Sequence, residues 1–194
     1  QRAMKRLLFA IFILSSFATY GQANQATIDK WKKLHAEQKR IAQQTLEMFP
    51  SSWQEFLDLY GWDNNKTPHQ MPFYNRVLND AEYLYHCSSL IDYDLFLQKV
   101  FSLASEASWD ADHVSQFQQV VRDILQSWSE CLPYLNKYSE REALTFWKFV
   151  LASPAMENMI PLKDEYEQLA KQTEYRHRHL IGKAFAHNEK QFAH

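Results

Sequence analysis

Three glycines in 194 residues set the tightest limit on what this chain can fold into. Glycine supplies the positive-φ turns of tight hairpins and the bare backbone that phosphate-binding loops need. With only Gly21, Gly61 and Gly182 to draw on, no P-loop, dinucleotide fingerprint or nucleophile elbow can be written. A turn-rich β-sandwich or barrel is disfavoured on the same ground. At 46% hydrophobic and 15% aromatic, the chain nevertheless has material for a sizeable core. The expectation is all-α.

Residues 4–21 read as a secretory signal. Lys5 and Arg6 form a short positive start, Leu7 to Leu14 an unbroken apolar run, and small and polar residues follow as far as Gly21. The run is far shorter than the roughly 20 residues that a membrane span requires. Residues 1–3 read as upstream of the initiator Met4, and cleavage is expected after Gly21 or Ala23. The expectation is an exported protein, periplasmic or secreted, with no stable membrane span after cleavage and one domain over residues 22–194. Loss of Arg2, Lys5 and Arg6 takes the basic total from 21 to 18 against 23 acidic residues, so the formal charge moves from −2 to −5. Nucleic acid is disfavoured as a partner, because phosphate binding needs clustered positive charge. The two basic clusters, Lys30-Lys32-Lys33 and Arg176-His177-Arg178-His179, read as solvated helix faces. Export permits a disulfide between Cys87 and Cys131, although two thiols packed as small apolar groups fit the surrounding pattern as well.

Helical period runs through almost the whole chain. A first helix is expected over Gln25 to Met48, stopped by Pro50, and a second from a Ser52–Glu55 capping box to Tyr60, with Gly61 as a left-handed C-cap. Residues 62–71 form the longest polar interruption. Pro72 is expected in the first turn of a helix reaching Ser88, and Asp92 caps another. The clearest pattern is Val114, Phe117, Val121, Ile124, Trp128, Cys131 and Leu135, which recur at alternating steps of three and four. That is a buried seam, with Pro133 expected to kink or end its helix near Leu132. Ser139–Glu142 is a second capping box, and one long final helix is expected after Pro161. The result is a single-domain bundle of six or seven helices.

Eight histidines raise the question of a metal. A di-metal bundle uses Glu-x-x-His, because positions i and i+3 share a helix face. Glu174 and His177 match it, while Glu82, His86 and His113 could add ligands. Capping and core-edge packing explain the same residues without a metal, so no cofactor is expected and no catalytic residue is assigned. The aromatics say more. Trp62, Phe73 and Tyr74 border the polar loop, with Asp58 and Asp63 beside it, and Trp and Tyr are enriched where proteins bind one another. An acidic surface with aromatic anchors suits a basic protein partner.

Phe56-Leu57-Asp58-Leu59-Tyr60-Gly61-Trp62-Asp63, Trp109-Asp110-Ala111-Asp112-His113-Val114 and Phe146-Trp147-Lys148-Phe149 together resemble a family of small exported helical proteins of Bacteroidota. Its corresponding segments read approximately LYGYD, WDADAV and FWxF. The chain departs from them at Trp62, where the family has Tyr, and at His113, where it has Ala. The resemblance covers roughly residues 50–154; it implies export and a helical fold and names no activity. By analogy of size and export, it points to immunity proteins that neutralise antibacterial toxins. The expected function is therefore non-enzymatic binding of a protein partner, such as a toxin. The alternatives are a metal-dependent helical-bundle enzyme and a cell-envelope assembly factor.

Overall fold

The computed structural model describes residues 25–62, 64–74, 76–108, 113–153 and 155–192, without the side chains of His113 and Met156. The signal segment, Asp63 and the Trp109–Asp112 part of the family-like segment lie outside the described residues. Nine α-helices and one 3-10 turn occur among the described residues: α1 (Gln25–Met48), α2 (Trp53–Tyr60), the turn Pro68–Gln70, α3 (Val77–His86), α4 (Tyr93–Glu106), α5 (His113–Leu125), α6 (Trp128–Leu135), α7 (Glu140–Leu151), α8 (Met156–Gln172) and α9 (His179–Phe192). The all-α expectation holds. Nine helices replace six or seven because two of the expected long helices are each broken in the middle.

Packing divides the chain into two units, residues 1–41 and 42–194. In the first, every described residue, Gln25 to Ile41, is a solvent-exposed part of α1. In the second, α7 lies at the centre and packs against α4, α5, α8 and α9, while α3 packs on α5 and α2 on α4. Phe56, Phe96, Phe117, Phe146 and Trp147 are fully buried there. Each such side chain contributes about 1.5–3 kcal/mol of burial free energy. All seven seam residues from Val114 to Leu135 are buried as their spacing requires.

The helix starts follow the sequence closely. The Ser139 hydroxyl accepts from the Glu142 N–H, and the Glu142 carboxylate accepts from the Ser139 N–H at 2.8 Å. At α2 the Ser52 hydroxyl accepts from the Glu55 N–H, but the Glu55 carboxylate reaches one residue further back, to the Ser51 N–H. Asp92 caps α4 through the Leu95 N–H.

Among the described helices only α2 ends on a glycine, Gly61. An ordinary C-terminus turns its last carbonyls to a left-handed glycine cap. Here distant side chains supply the donors. Lys99 on α4 donates to the carbonyls of Leu46, Glu47 and Phe49 at the end of α1. Gln118 and Arg122 on α5 donate to those of Phe149, Val150 and Ala152 at the end of α7. Asn188 on α9 donates to the Lys148 carbonyl. A chain with few glycines can therefore stop its helices wherever a neighbouring helix presents an amide, a guanidinium or an ammonium.

Two prolines lie inside helices, Pro133 where a kink or a helix end is expected and Pro161 where a helix start is expected. Pro133 in α6 and Pro161 in α8 lack the N–H that would serve the carbonyls of Ser129 and Glu157. Both of those residues are exposed, so water can serve the carbonyls instead. The seam helix breaks at Gln126 and Ser127, upstream of Pro133. The final helix breaks over residues 173–178. There the Thr173 hydroxyl donates back to the Leu169 carbonyl and accepts the Trp128 indole N–H. Leaving the helix lets Tyr175 and His177 turn into the core, which outweighs the local preference for continuing. Pro72 likewise does not start α3, which begins at Val77, because Pro72 to Tyr74 form a turn anchored by buried Met71.

Candidate functional site

The polar loop and its borders enclose a cleft of about 440 Å³ beside α2. Phe56 and Tyr60 hold one side of α2 in the core, which leaves Asp58 on the outside, bonded to the Gln54 side chain at 2.8 Å. Gly61 ends the helix, but not in the left-handed conformation expected of it. Its backbone is extended, φ −77° and ψ 162°, and its N–H donates to the Leu57 carbonyl at 2.8 Å. Glycine is required for space: a Cβ there would collide with that same carbonyl oxygen. Gly61→Ala is accordingly expected to cost about 2 kcal/mol, the scale of forcing an added group into an occupied site. Chemical denaturation should show it as a lower midpoint at unchanged slope.

From Gly61 the chain delivers Trp62 to the surface, 50% exposed. Its indole N–H donates to the Asn64 side-chain oxygen at 2.8 Å, and its ring meets Tyr74 edge-on, centroids 5.2 Å apart and planes at 66°. Across the loop, the Gln70 side chain accepts from the Thr67 N–H and hydroxyl, which closes the 3-10 turn. Phe73 is 38% exposed, with the Arg76 guanidinium 5.6 Å from its ring centroid. Arg76 in turn pairs with Asp80 at 3.6 Å, and Asp80 accepts from the Tyr60 hydroxyl at 3.2 Å. Burial, then the Asp80 charge, pushes the Tyr60 hydroxyl well above the usual phenol range.

The cleft has an apolar floor of Leu57, Met71 and Phe73, with Asp58 and Lys66 among its polar walls. Of the sequence-derived binding residues, Asp58, Trp62 and Phe73 line it, and Tyr74 supports Trp62 from behind. Lys66, Met71, Gln54 and Gln70 were not anticipated. The Thr67-Pro68 pair that starts the 3-10 turn was the available signal that this stretch is ordered and has an inner side. An apolar floor flanked by a carboxylate and an ammonium is suited to seating an amphipathic side chain. The described lining contains no histidine, cysteine or serine to act as a nucleophile or proton relay.

The residues considered for a metal are not brought together. Glu174 and His177 fall in the break between α8 and α9, so the helical i, i+3 geometry that motivated the pair is absent. His177 is buried with Nε2 2.7 Å from the Tyr138 carbonyl. A carbonyl only accepts, so Nε2 carries a proton and is not a ligand. Glu82 and His86 lie on α3, His86 exposed, and the His113 side chain lies outside the described residues. Among the described residues no group of three or more His, Cys, Asp or Glu side chains is placed to hold a metal ion.

Cys87 and Cys131 are both free thiols. Cys131 is fully buried, its thiol directed at the Ile124 carbonyl at 3.4 Å. No described helix is long and apolar enough to cross a membrane. Comparison with protein-family models, curated proteins and solved structures finds no match to this chain.

Proposed function

We propose that the protein is an exported, non-enzymatic binding protein that recognises a protein partner, of the kind an immunity protein makes with a toxin, through the cleft between α2 and the loop at residues 64–74. The observation that carries this reading is the placement of Trp62. Its ring is half exposed, yet its orientation is fixed by the Asn64 hydrogen bond and the Tyr74 ring. An aromatic side chain held in place loses little conformational entropy on binding and can anchor an interface. Phe73 and the apolar floor extend the contact, and Asp58 gives it a negative wall. Asp63, beside Trp62 in sequence, adds a second carboxylate to the segment. Export rests on the basic start and apolar run of residues 4–21.

The test is capture of partners from a periplasmic extract, identification of the bound protein, and titration of that protein against variants. Trp62→Ala is expected to weaken binding by about 30-fold, the scale of a hot-spot residue. Asp58→Lys should weaken it further and reverse its salt dependence. Unchanged affinity in both variants would take this surface out of consideration.

A further inference from the structure

The first unit of the chain poses a separate question. All of α1 from Gln25 to Ile41 is exposed, and among its side chains are large apolar ones, Trp31 at 63% and Leu34 at 47% exposure. In proteins most helical stability comes from packing of an amphipathic face, and this exposed segment lacks such packing. Local bonds at its surface include Gln25 with Asp29 and Glu37 with Arg40. At 100° per residue, Ile28, Trp31, Leu34 and Ile41 fall within an arc of about 140°. Lys30 stands on one shoulder of that arc and Lys32 and Lys39 on the other, while Lys33 and Arg40 lie opposite.

The charge of this segment is as distinctive as its apolar arc. Lys30, Lys32, Lys33, Lys39 and Arg40 face only Asp29 and Glu37 as acids, whereas residues 42–194 carry 13 basic against 21 acidic residues. An excess of basic side chains and an exposed apolar stripe therefore coincide on this segment. We infer that Gln25–Ile41 is a docking surface for an anionic phospholipid membrane, lying flat with Ile28, Trp31, Leu34 and Ile41 among the acyl chains and Lys30, Lys32 and Lys39 at the phosphates. Lysine stems flanking an apolar arc can follow the interface while their ammonium groups remain at headgroup level. Trp31 suits the same boundary, with an apolar ring and a polar N–H. A second copy of the helix is the poorer occupant. Two such segments bring like net charge together, and Gln38 and His35 interrupt the continuous apolar seam that a coiled coil requires. The docking is peripheral and independent of the cleft at Trp62.

The inference is tested by sedimenting the full chain with vesicles of phosphatidylcholine, with and without phosphatidylglycerol. Arg2, Lys5, Arg6 and the apolar run Leu7–Leu14 are kept in every variant, so whatever they contribute to vesicle binding is common to all and only the difference between variants is read. Stronger binding to the anionic vesicles is expected, and added salt should weaken it. Replacing Lys30, Lys32 and Lys39 together by Gln should lower the partition coefficient about a hundredfold, at roughly fivefold per lysine. The same change at Lys171, Lys183 and Lys190 should have far less effect. Anionic vesicles should shift tryptophan emission to the blue, and Trp31→Phe should remove that shift. Equal binding to both vesicle types, or anionic binding that survives the triple substitution, would overturn the proposal. So would a dimer in solution that Leu34→Asp dissolves, since the stripe would then belong to a second copy.

Discussion

Trp147→Ala is expected to remove about 4–5 kcal/mol of stability, a large fraction of the roughly 5–15 kcal/mol a folded domain possesses. Trp147 is fully buried on the central helix α7. Its ring meets Phe146 at 5.1 Å, Tyr166 at 5.2 Å, Tyr175 at 6.0 Å and Trp128 at 6.2 Å between centroids. Truncation to Ala deletes an indole where four other rings, contributed by four different stretches of chain, cannot all collapse inward. It also takes away the indole N–H that donates to the Tyr175 hydroxyl at 2.8 Å, leaving that buried oxygen without its donor at a further cost of about 1 kcal/mol. Trp147→Phe separates the two contributions, since it keeps a ring and loses the donor; it should cost about 2 kcal/mol. Urea titrations followed by circular dichroism would measure both. A loss below about 1.5 kcal/mol for the Ala variant would mean that the aromatic cluster repacks freely, contrary to the close-packed interior described here.

That cluster was only partly legible in the sequence, and the reason is physical. Local signals act over three or four residues, and where such signals decided the outcome the reading succeeded. The 3-4 spacing of Val114 to Leu135 buried all seven residues, and Ser139–Glu142 closed as a capping box. Where a helix ends on a donor some 28 to 53 residues away, no local signal exists. Lys99 at the end of α1, and Gln118 with Arg122 at the end of α7, occupy the place that glycine takes in other chains. The break at residues 173–178 is of the same kind, set by Trp128, Trp147 and Tyr138, all remote in sequence. The candidate metal pair Glu174 and His177 therefore failed for the reason that the helix end was misplaced. At the cleft, Trp62, Phe73 and Tyr74 were legible as the aromatic border of a polar run. Lys66 and Met71 were not, because their role depends on a 3-10 turn that folds the run back on α2.

Alkaline pH is expected to erode the protein's stability from about pH 10 upward, the usual value for an exposed phenol, and to unfold it cooperatively within roughly one to three units above that. Burial raises the hydroxyls of four core tyrosines well above that value: Tyr60, aided by Asp80, and Tyr138, Tyr166 and Tyr175; it also pushes the partly buried Tyr134 up to about 12, aided by Asp94. Burial also pushes the Cys131 thiol up to about 12, from an ordinary value near 9. Below pH 9 these groups are protonated whether the chain is folded or not, so their contribution to stability is fully present. As pH rises past 9 for the thiol and 10 for the phenols, the unfolded chain releases protons that the folded chain retains. Stability then falls by up to about 1.4 kcal/mol per group per pH unit until the folded values are reached. With four phenols acting together, a margin of 5–15 kcal/mol is exhausted within roughly one to three units. Tyrosinate absorbance should rise in two stages. The exposed members of the ten tyrosines would ionise first, and the buried four only with the loss of helical circular dichroism. Tyr138→Phe removes one phenol, along with its hydrogen bond to the Phe101 carbonyl, and should make the transition less steep with pH. A single smooth ionisation of all ten near pH 10, with helix content unchanged, would show that the four phenols reach solvent without unfolding.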